Sequence, residues 1–219
     1  MSDAASIRGP TSSVKNPILV RERRLALIKA AVEVFHAKGY HACRVADVAE
    51  AAGISQGTVY NYVNSKEDLL FMVCEDHLLG YERIVNSALE GAKTAKEKLD
   101  ALLKATVEAI FSYRKHYIVM LRELHLVEKN RRRAFMKLAA DQRKICEDIL
   151  IEIAKEEGLD VRNSLLVSNM MIFLPSFLIS RGWDFNRSVA EEEVTRFLIT
   201  FMRRGLRADE FPHQSALDD

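Results

Sequence analysis

From Leu19 to Arg207 apolar residues recur every third or fourth position, and no stretch alternates apolar with polar as a half-buried strand would. The pattern predicts an all-α chain of about nine helices. Leu25, Ile28, Val32 and Phe35, with Ala31 beside them, stripe a first helix over 19–38, closed by Gly39. Val45, Val48, Ala49 and Ala52 make a short second helix. Gly53 supplies the positive φ of its end, and Ser55 is placed to cap a third helix over 56–63. Ile54 and Val59 flank that cap as a hydrophobic staple. Ser65 and Asp68 resemble a capping box opening a long fourth helix, to about Leu89.

The periodicity continues over 94–112, where Leu99, Leu102, Leu103, Val107, Ile110 and Phe111 share a face, then over 115–127 and 130–157. An eighth helix, opened by Asn163 or Ser164, is apolar on nearly every face to Ile179; Pro175 should kink it and Gly182 end it. Its run from Leu165 to Ile179 is too short for a membrane span, which needs ~20 apolar residues. Ser188 and Glu191 form a capping box for a ninth helix, to about Arg207, with Phe197, Leu198, Phe201 and Met202 on its apolar face. Residues 1–17, rich in Ser, Gly and Pro, read as a disordered arm, and 208–219 as a flexible tail.

Two short helices joined by so tight a Gly-containing turn make a helix-turn-helix, whose second helix can enter the major groove of DNA. That helix carries Gln56, Thr58, Tyr60, Asn61 and Tyr62 in place of Lys and Glu. Such side chains suit base edges and phosphates. Lys66, just beyond it, is placed to hold a phosphate. Arg21, Arg23 and Arg24 crowd the start of the first helix, against its dipole. A nearby phosphate or plain solvation would relieve that conflict equally well.

Charge agrees with this division. Residues 1–66 hold nine Lys/Arg against five Asp/Glu, and the remainder 23 against 26. A basic front on a mildly acidic body suits a nucleic-acid module fused to something else. Cys43, Cys74 and Cys146 are isolated, with no zinc or disulfide spacing, which suits a reducing cytosol, and the N-terminus lacks an apolar signal core. His36, His41 and Cys43 match no metal spacing, and Asp76-His77 and His125 have no nucleophile at recognisable spacing. No catalytic residue, metal or cofactor is predicted. A helical adaptor, or an enzyme without DNA binding, is the alternative reading.

At Ala31-Val32-Glu33-Val34-Phe35, Gly39-Tyr40, the continuous run Val45 to Ser55, Gly57 to Val63, and Ser65 to Leu70, the sequence resembles the TetR/AcrR family of one-component repressors. The resemblance implies an all-α homodimer with a DNA-binding domain over 18–66. It also implies an effector-binding and dimerisation domain over 67–207, with the pocket among the fourth to eighth helices. By position it implies that Gln56, Gly57, Thr58, Tyr60, Asn61 and Tyr62 face operator DNA and that Lys66 holds a phosphate. Where the family has Thr or Ser before the second helix this chain has Cys43-Arg44, so the cap is in question and Arg44 becomes a further candidate phosphate contact. Dimerisation is implied through the last two helices, hence Phe177, Leu178, Phe197, Leu198, Phe201 and Met202.

A second likeness, to the FadR-like branch that responds to acyl-CoA thioesters, rests on Tyr40-His41, Ala95 to Leu99, Leu121 to Leu124 and Leu159 to Arg162. It implies an acyl-CoA effector. Arg122, with Arg131, Arg132 and Arg133, is then a candidate for its phosphates. Phe111, Met120, Met170, Phe173 and Phe177 are candidates for an apolar channel. Met and Phe at helical spacing are also ordinary core residues, and an Arg run at a helix start is ordinarily solvated.

Overall fold

The computed structural model describes residues 17–157, 163–179, 181 and 190–205. All the regular structure among them is helical. The helices are α1 (Pro17–Lys38), α2 (Val45–Ala51), α3 (Gln56–Val59), α4 (Lys66–Leu89), α5 (Ala95–Ser112), α6 (Arg114–Glu123), α7 (Lys129–Glu157), α8 (Ser164–Phe173) and α9 (Glu191–Gly205). The chain folds as two compact units. One holds residues up to Leu79 together with Tyr113–Leu138, and the other holds Gly80–Ser112 and the residues from Ala139 onward. α4 and α7 each supply residues to both.

In the first unit α1 packs against α2 and α6, and α2 against α3. Leu27, Ile28, Ala31, Val32 and Phe35 bury one face of α1, while Val48, Val59, Leu69 and Leu70 of the other helices and Val63 of the α3–α4 link are buried too. Leu25, expected in the α1 stripe, is half exposed, and Leu27 is the buried residue of that turn. Cross-helix ion pairs rim this core: Arg24 to Glu75 at 2.6 Å and Lys115 to Glu33 at 2.5 Å. Burial raises the Glu75 carboxyl above its ordinary range, against the pull of Arg24.

His77 of α4 is 7% exposed and lies between the rings of Tyr117, at 5.4 Å, and Tyr113, at 6.2 Å. Its Nδ1 is buried without a hydrogen-bond partner. Burial, with neighbouring His116, pushes the imidazole down to about 4, while Asp76 pulls weakly the other way. Asp76 itself receives His116 Nε2 at 3.3 Å.

In the second unit α5 packs against α8 and α9. Leu99, Leu102, Leu103 and Val107 of α5 share a core with Cys146, Ile149, Leu150 and Ile153 of α7, Met171 of α8, and Leu198 and Met202 of α9. Polar ties fix the register. Arg143 of α7 donates to Glu147 at 2.8 Å and to Ser168 Oγ at 3.0 Å, and Ser164 Oγ donates to Glu147 at 2.7 Å. Lys98 meets Glu152, and Arg203 meets Asp100, each at 2.5 Å.

Helix boundaries follow local chemistry. Thr94 Oγ1 accepts the Glu97 N–H at 3.2 Å, and the Glu97 carboxylate accepts the N–H groups of Thr94 and Lys93, a complete capping box for α5. α8 tightens into a 3-10 turn at Leu174–Ser176, where Pro175 has no N–H to give, and helical residues resume at 177–179. Residues 1–16 of the arm, the tail, Gly158, Gly182 and the Ser188 cap lie outside the described residues, and Pro17 opens α1. The three thiols are free and buried, and burial pushes Cys74 and Cys146 up to about 12. Thiols so placed are unreactive near neutrality.

His77 sets a pH dependence. Its folded value lies below the ordinary 6.5, so the unfolded chain binds more protons between about 6.5 and 4. Stability is therefore complete above pH 6.5 and falls on acidification, by about 3 kcal/mol at most, levelling off near pH 4. Denaturant melts of the wild type and His77→Phe across this range check it, with the variant showing a shallower acid slope.

Candidate nucleic-acid interface

The α2–α3 turn is built by backbone bonds that its sequence specifies. Gly53 takes φ +67°, its N–H donates to Glu50 O at 3.0 Å, and the Ile54 N–H donates to Ala49 O at 3.1 Å. This is a Schellman end with glycine in the left-handed position. A Cβ on Gly53 would meet nothing within 4 Å, so glycine is needed for the dihedral and not for room.

Ser55, in extended backbone, accepts the Thr58 N–H at 3.1 Å and exchanges a hydroxyl bond with Thr58 at 2.8 Å. The α-helix is shorter than the 56–63 expected. After Val59 the bonds tighten, with Asn61 and Tyr62 N–H groups reaching only three residues back, to Thr58 and Val59. Val59 and Val63 are 0% exposed and pin the segment to the core. Gln56, Gly57, Tyr60 and Asn61 are exposed, and Thr58 and Tyr62 half-buried. No charged residue occurs between Glu50 and Lys66.

Arg44 is exposed and precedes α2 in extended backbone. Its side chain has no acceptor, so Asp47 does the capping in reverse, its carboxylate accepting the Arg44 N–H at 2.7 Å. Lys38 joins the same carboxylate at 2.9 Å, and together they hold Asp47 below the usual carboxylate range. An acid three residues after the cap was the available sequence signal.

Lys66 departs from expectation. Its ammonium donates to the carbonyls of Tyr40 at 2.8 Å, Cys43 at 3.0 Å and His41 at 3.4 Å, and stands 4.3 Å from the centre of the Tyr40 ring. All three donors are engaged in tying α4 to the α1–α2 turn, and a phosphate would have to displace one of them. The Ser65–Asp68 box is also altered. Ser65 Oγ accepts the Asp68 N–H at 3.2 Å, but the Asp68 carboxylate reaches past Ser65 to the Asn64 N–H at 2.6 Å.

Several expected effector and dimer residues take other places. Phe173 is 63% exposed, and Met170 and Phe177 also stand at the surface of the described residues. Phe111 is half-buried against the second unit's core. In the first unit Met120 is half-buried and Arg122 exposed. Arg131 pairs with Asp68 and is committed to it, while Arg132 donates to His125 O at 3.0 Å. Leu178, Leu198 and Met202 are buried in their own unit's core and leave nothing for a partner, whereas Phe197 and Phe201 stack 6.1 Å apart and face outward. An open groove of about 570 Å³ along α9, bordered by Lys104, Arg196 and Arg203, is lined by none of the predicted effector residues.

Comparison with known proteins decides the family. Residues 27–73 match the model of bacterial regulatory proteins of the tetR family, and residues 92–174 a tetracyclin repressor-like C-terminal domain. The chain is 32% identical to the transcriptional repressor KstR2 of Rhodococcus jostii over 87% of its length and 93% of that protein's. The chain belongs to the TetR family of transcriptional regulators. It is therefore a DNA-binding regulator of a non-enzymatic family, and the adaptor and enzyme alternatives fall away.

It is 29% identical to the fatty acid metabolism regulator of Bacillus subtilis over 70% of this chain and 79% of that one. A 30% match to the regulator HbdR of an Aromatoleum species covers 60% of this chain and 56% of that protein. A tetR-family regulatory protein from Rhodococcus RHA1 has the same fold, with a TM-score of 0.75 at 18% identity, covering 86% of this chain and 99% of that one. No helix among the described residues is long and apolar enough to cross a membrane.

The carbonyl cage yields a specific expectation. Lys66→Met loses three charged hydrogen bonds and destabilises the first unit by about 2 kcal/mol, seen as a fall in Tm. The salt slope of DNA binding stays as in the wild type. A slope reduced by about 1 would return Lys66 to a phosphate.

Proposed function

We propose that the protein is a homodimeric, ligand-responsive repressor of the bacterial cytosol, which reads a near-palindromic operator and leaves it when a small apolar effector binds. The observation that carries this reading is the two-sided Ser55–Val63 segment. Val59 and Val63 are locked into the core, while Gln56, Tyr60 and Asn61 project uncharged hydrogen-bonding groups into solvent. Such groups give base preference and supply little of the salt-dependent grip, which falls to flanking cations such as Arg21 and Arg44.

The homodimer rests on exposed apolar surface in the second unit. Leu165, Leu166, Met170 and Phe173 on α8, and Phe197 and Phe201 on α9, are all more than half exposed. A monomer rarely leaves so many large apolar side chains in water, and a two-fold partner would cover them. Two α3 segments one DNA turn apart, ~34 Å, would then read adjacent major grooves. An effector would release DNA only through its different affinity for the DNA-binding and non-binding spacings.

The effector class proposed is an acyl-CoA thioester, supported by the likeness to the fatty acid metabolism regulator. With Arg131 paired to Asp68, Arg122 and Arg133, both exposed, and Arg132 are the cations offered to its phosphates.

Selection of bound DNA from a random pool should return a sequence with two-fold symmetry; a single asymmetric half-site would remove the homodimeric reading. With that operator, Asn61→Ala should cost about 1–3 kcal/mol at one base pair per half-site and little at the others. For the effector, acyl-CoAs of increasing chain length should raise Tm in a length-dependent way. No shift at any length would eliminate this class.

A further inference from the structure

Asp68 lies where the reading segment hands over to α4, and its side chain is 12% exposed. One carboxylate oxygen accepts the Asn64 N–H at 2.6 Å, and the other takes the Arg131 guanidinium. Arg131 comes from the first turn of α7, 63 residues downstream. It also lies over the buried Phe71 ring, 5.7 Å from its centre. Its own helix start is capped separately, Glu128 accepting the N–H groups of Asn130 at 3.0 Å and Arg131 at 3.2 Å.

The arrangement exceeds what capping requires. Ser65 already serves the Asp68 N–H, and an N3 acid in a simple box would turn back to the cap residue. Here the acid reaches one residue further, to the residue that follows Val63. A cation in the first turn of α7 and at the start of α4 opposes both helix dipoles, so this arginine is held by its partner and not by helix electrostatics. The chain thus runs from Arg131 to Asp68 to Asn64, and from there directly into the segment that carries Tyr60, Asn61 and Tyr62.

We propose that Arg131 is a positioning residue for DNA reading: from α7 it clamps Asp68, which fixes the Asn64 amide and so the attitude of the 56–62 segment toward the groove. Arg131 touches no DNA in this role. α7 thereby takes hold of the reading segment alongside α4, and a change in α7 reaches operator affinity through one ion pair. The inference rests on the DNA-binding role of the family and adds to it a residue outside the helix-turn-helix.

The test uses the full chain and the operator recovered from the random pool. Kd is measured across a salt series for wild type, Arg131→Gln, Asp68→Asn and the double variant, with Tm for each. Asp68→Asn keeps an acceptor for Asn64 and drops the charge, so the clamp is broken gently even if Arg131→Gln fails to fold. Each folded single variant is expected to raise Kd by roughly tenfold at an unchanged salt slope, and the double variant by no more than the larger single effect. Amide exchange at Val63 and Asn64 should quicken while exchange within α1 stays as in the wild type. Wild-type affinity in Asp68→Asn overturns the proposal. So does a slope reduced by about 1 in Arg131→Gln, which makes Arg131 a phosphate contact. Absence of operator binding by the wild type would instead strike at the DNA-binding reading itself.

Discussion

Between Val63 and Leu69 three side chains fasten the reading segment to everything around it. Ser65 caps α4, Lys66 gathers three carbonyls of the α1–α2 turn, and Asp68 holds the Asn64 amide and the α7 arginine. A helix start leaves backbone N–H groups without partners, and a tight turn leaves carbonyls without partners. Here the two deficits are met within one short stretch by oppositely charged groups. The reading segment has little regular helix of its own, so its shape depends on these ties and on Val59 and Val63 beneath it.

In the proposed function this construction separates two tasks of DNA recognition. The polar face over 56–62 is neutral, and the cations stand apart from it in the chain. Some of those cations are already spent on the fold: Arg24 on Glu75, Lys38 on Asp47, Lys66 on carbonyls. Counting basic residues therefore overstates the charge offered to a phosphate backbone. What remains exposed near the reading segment is smaller, and Arg44 is its nearest member in sequence.

The helix order, the left-handed glycine at Gly53 and the Ser55 cap were legible in the sequence because each is written within three or four residues. The Lys66 cage and the Arg131 clamp were not, since their partners lie 23–26 and 63 residues away and nothing local announces them. Lysine beside a recognition helix reads equally well as a phosphate ligand. Ambiguity of another kind affects the last helices. Where apolar residues encircle a helix, periodicity cannot say which face meets the chain's own core, and only packing sorts Leu198 and Met202 inward from Phe197 and Phe201. Leu25 fails similarly. Ala26 and Leu27 follow it directly, and a small change of helical phase decides which leucine of the turn is buried.

The uncharged run from Ala51 to Ser65 has a consequence for how such a regulator diverges. Substitutions on its solvent face leave the pinning valines, the caps and the flanking cations as they are. Under the proposed role of this face, a gene copy can drift to a new target sequence by a few changes there while the contacts of its cations with DNA are kept. Retargeting and loss of function become separate events, and a lineage can explore the first without passing through the second.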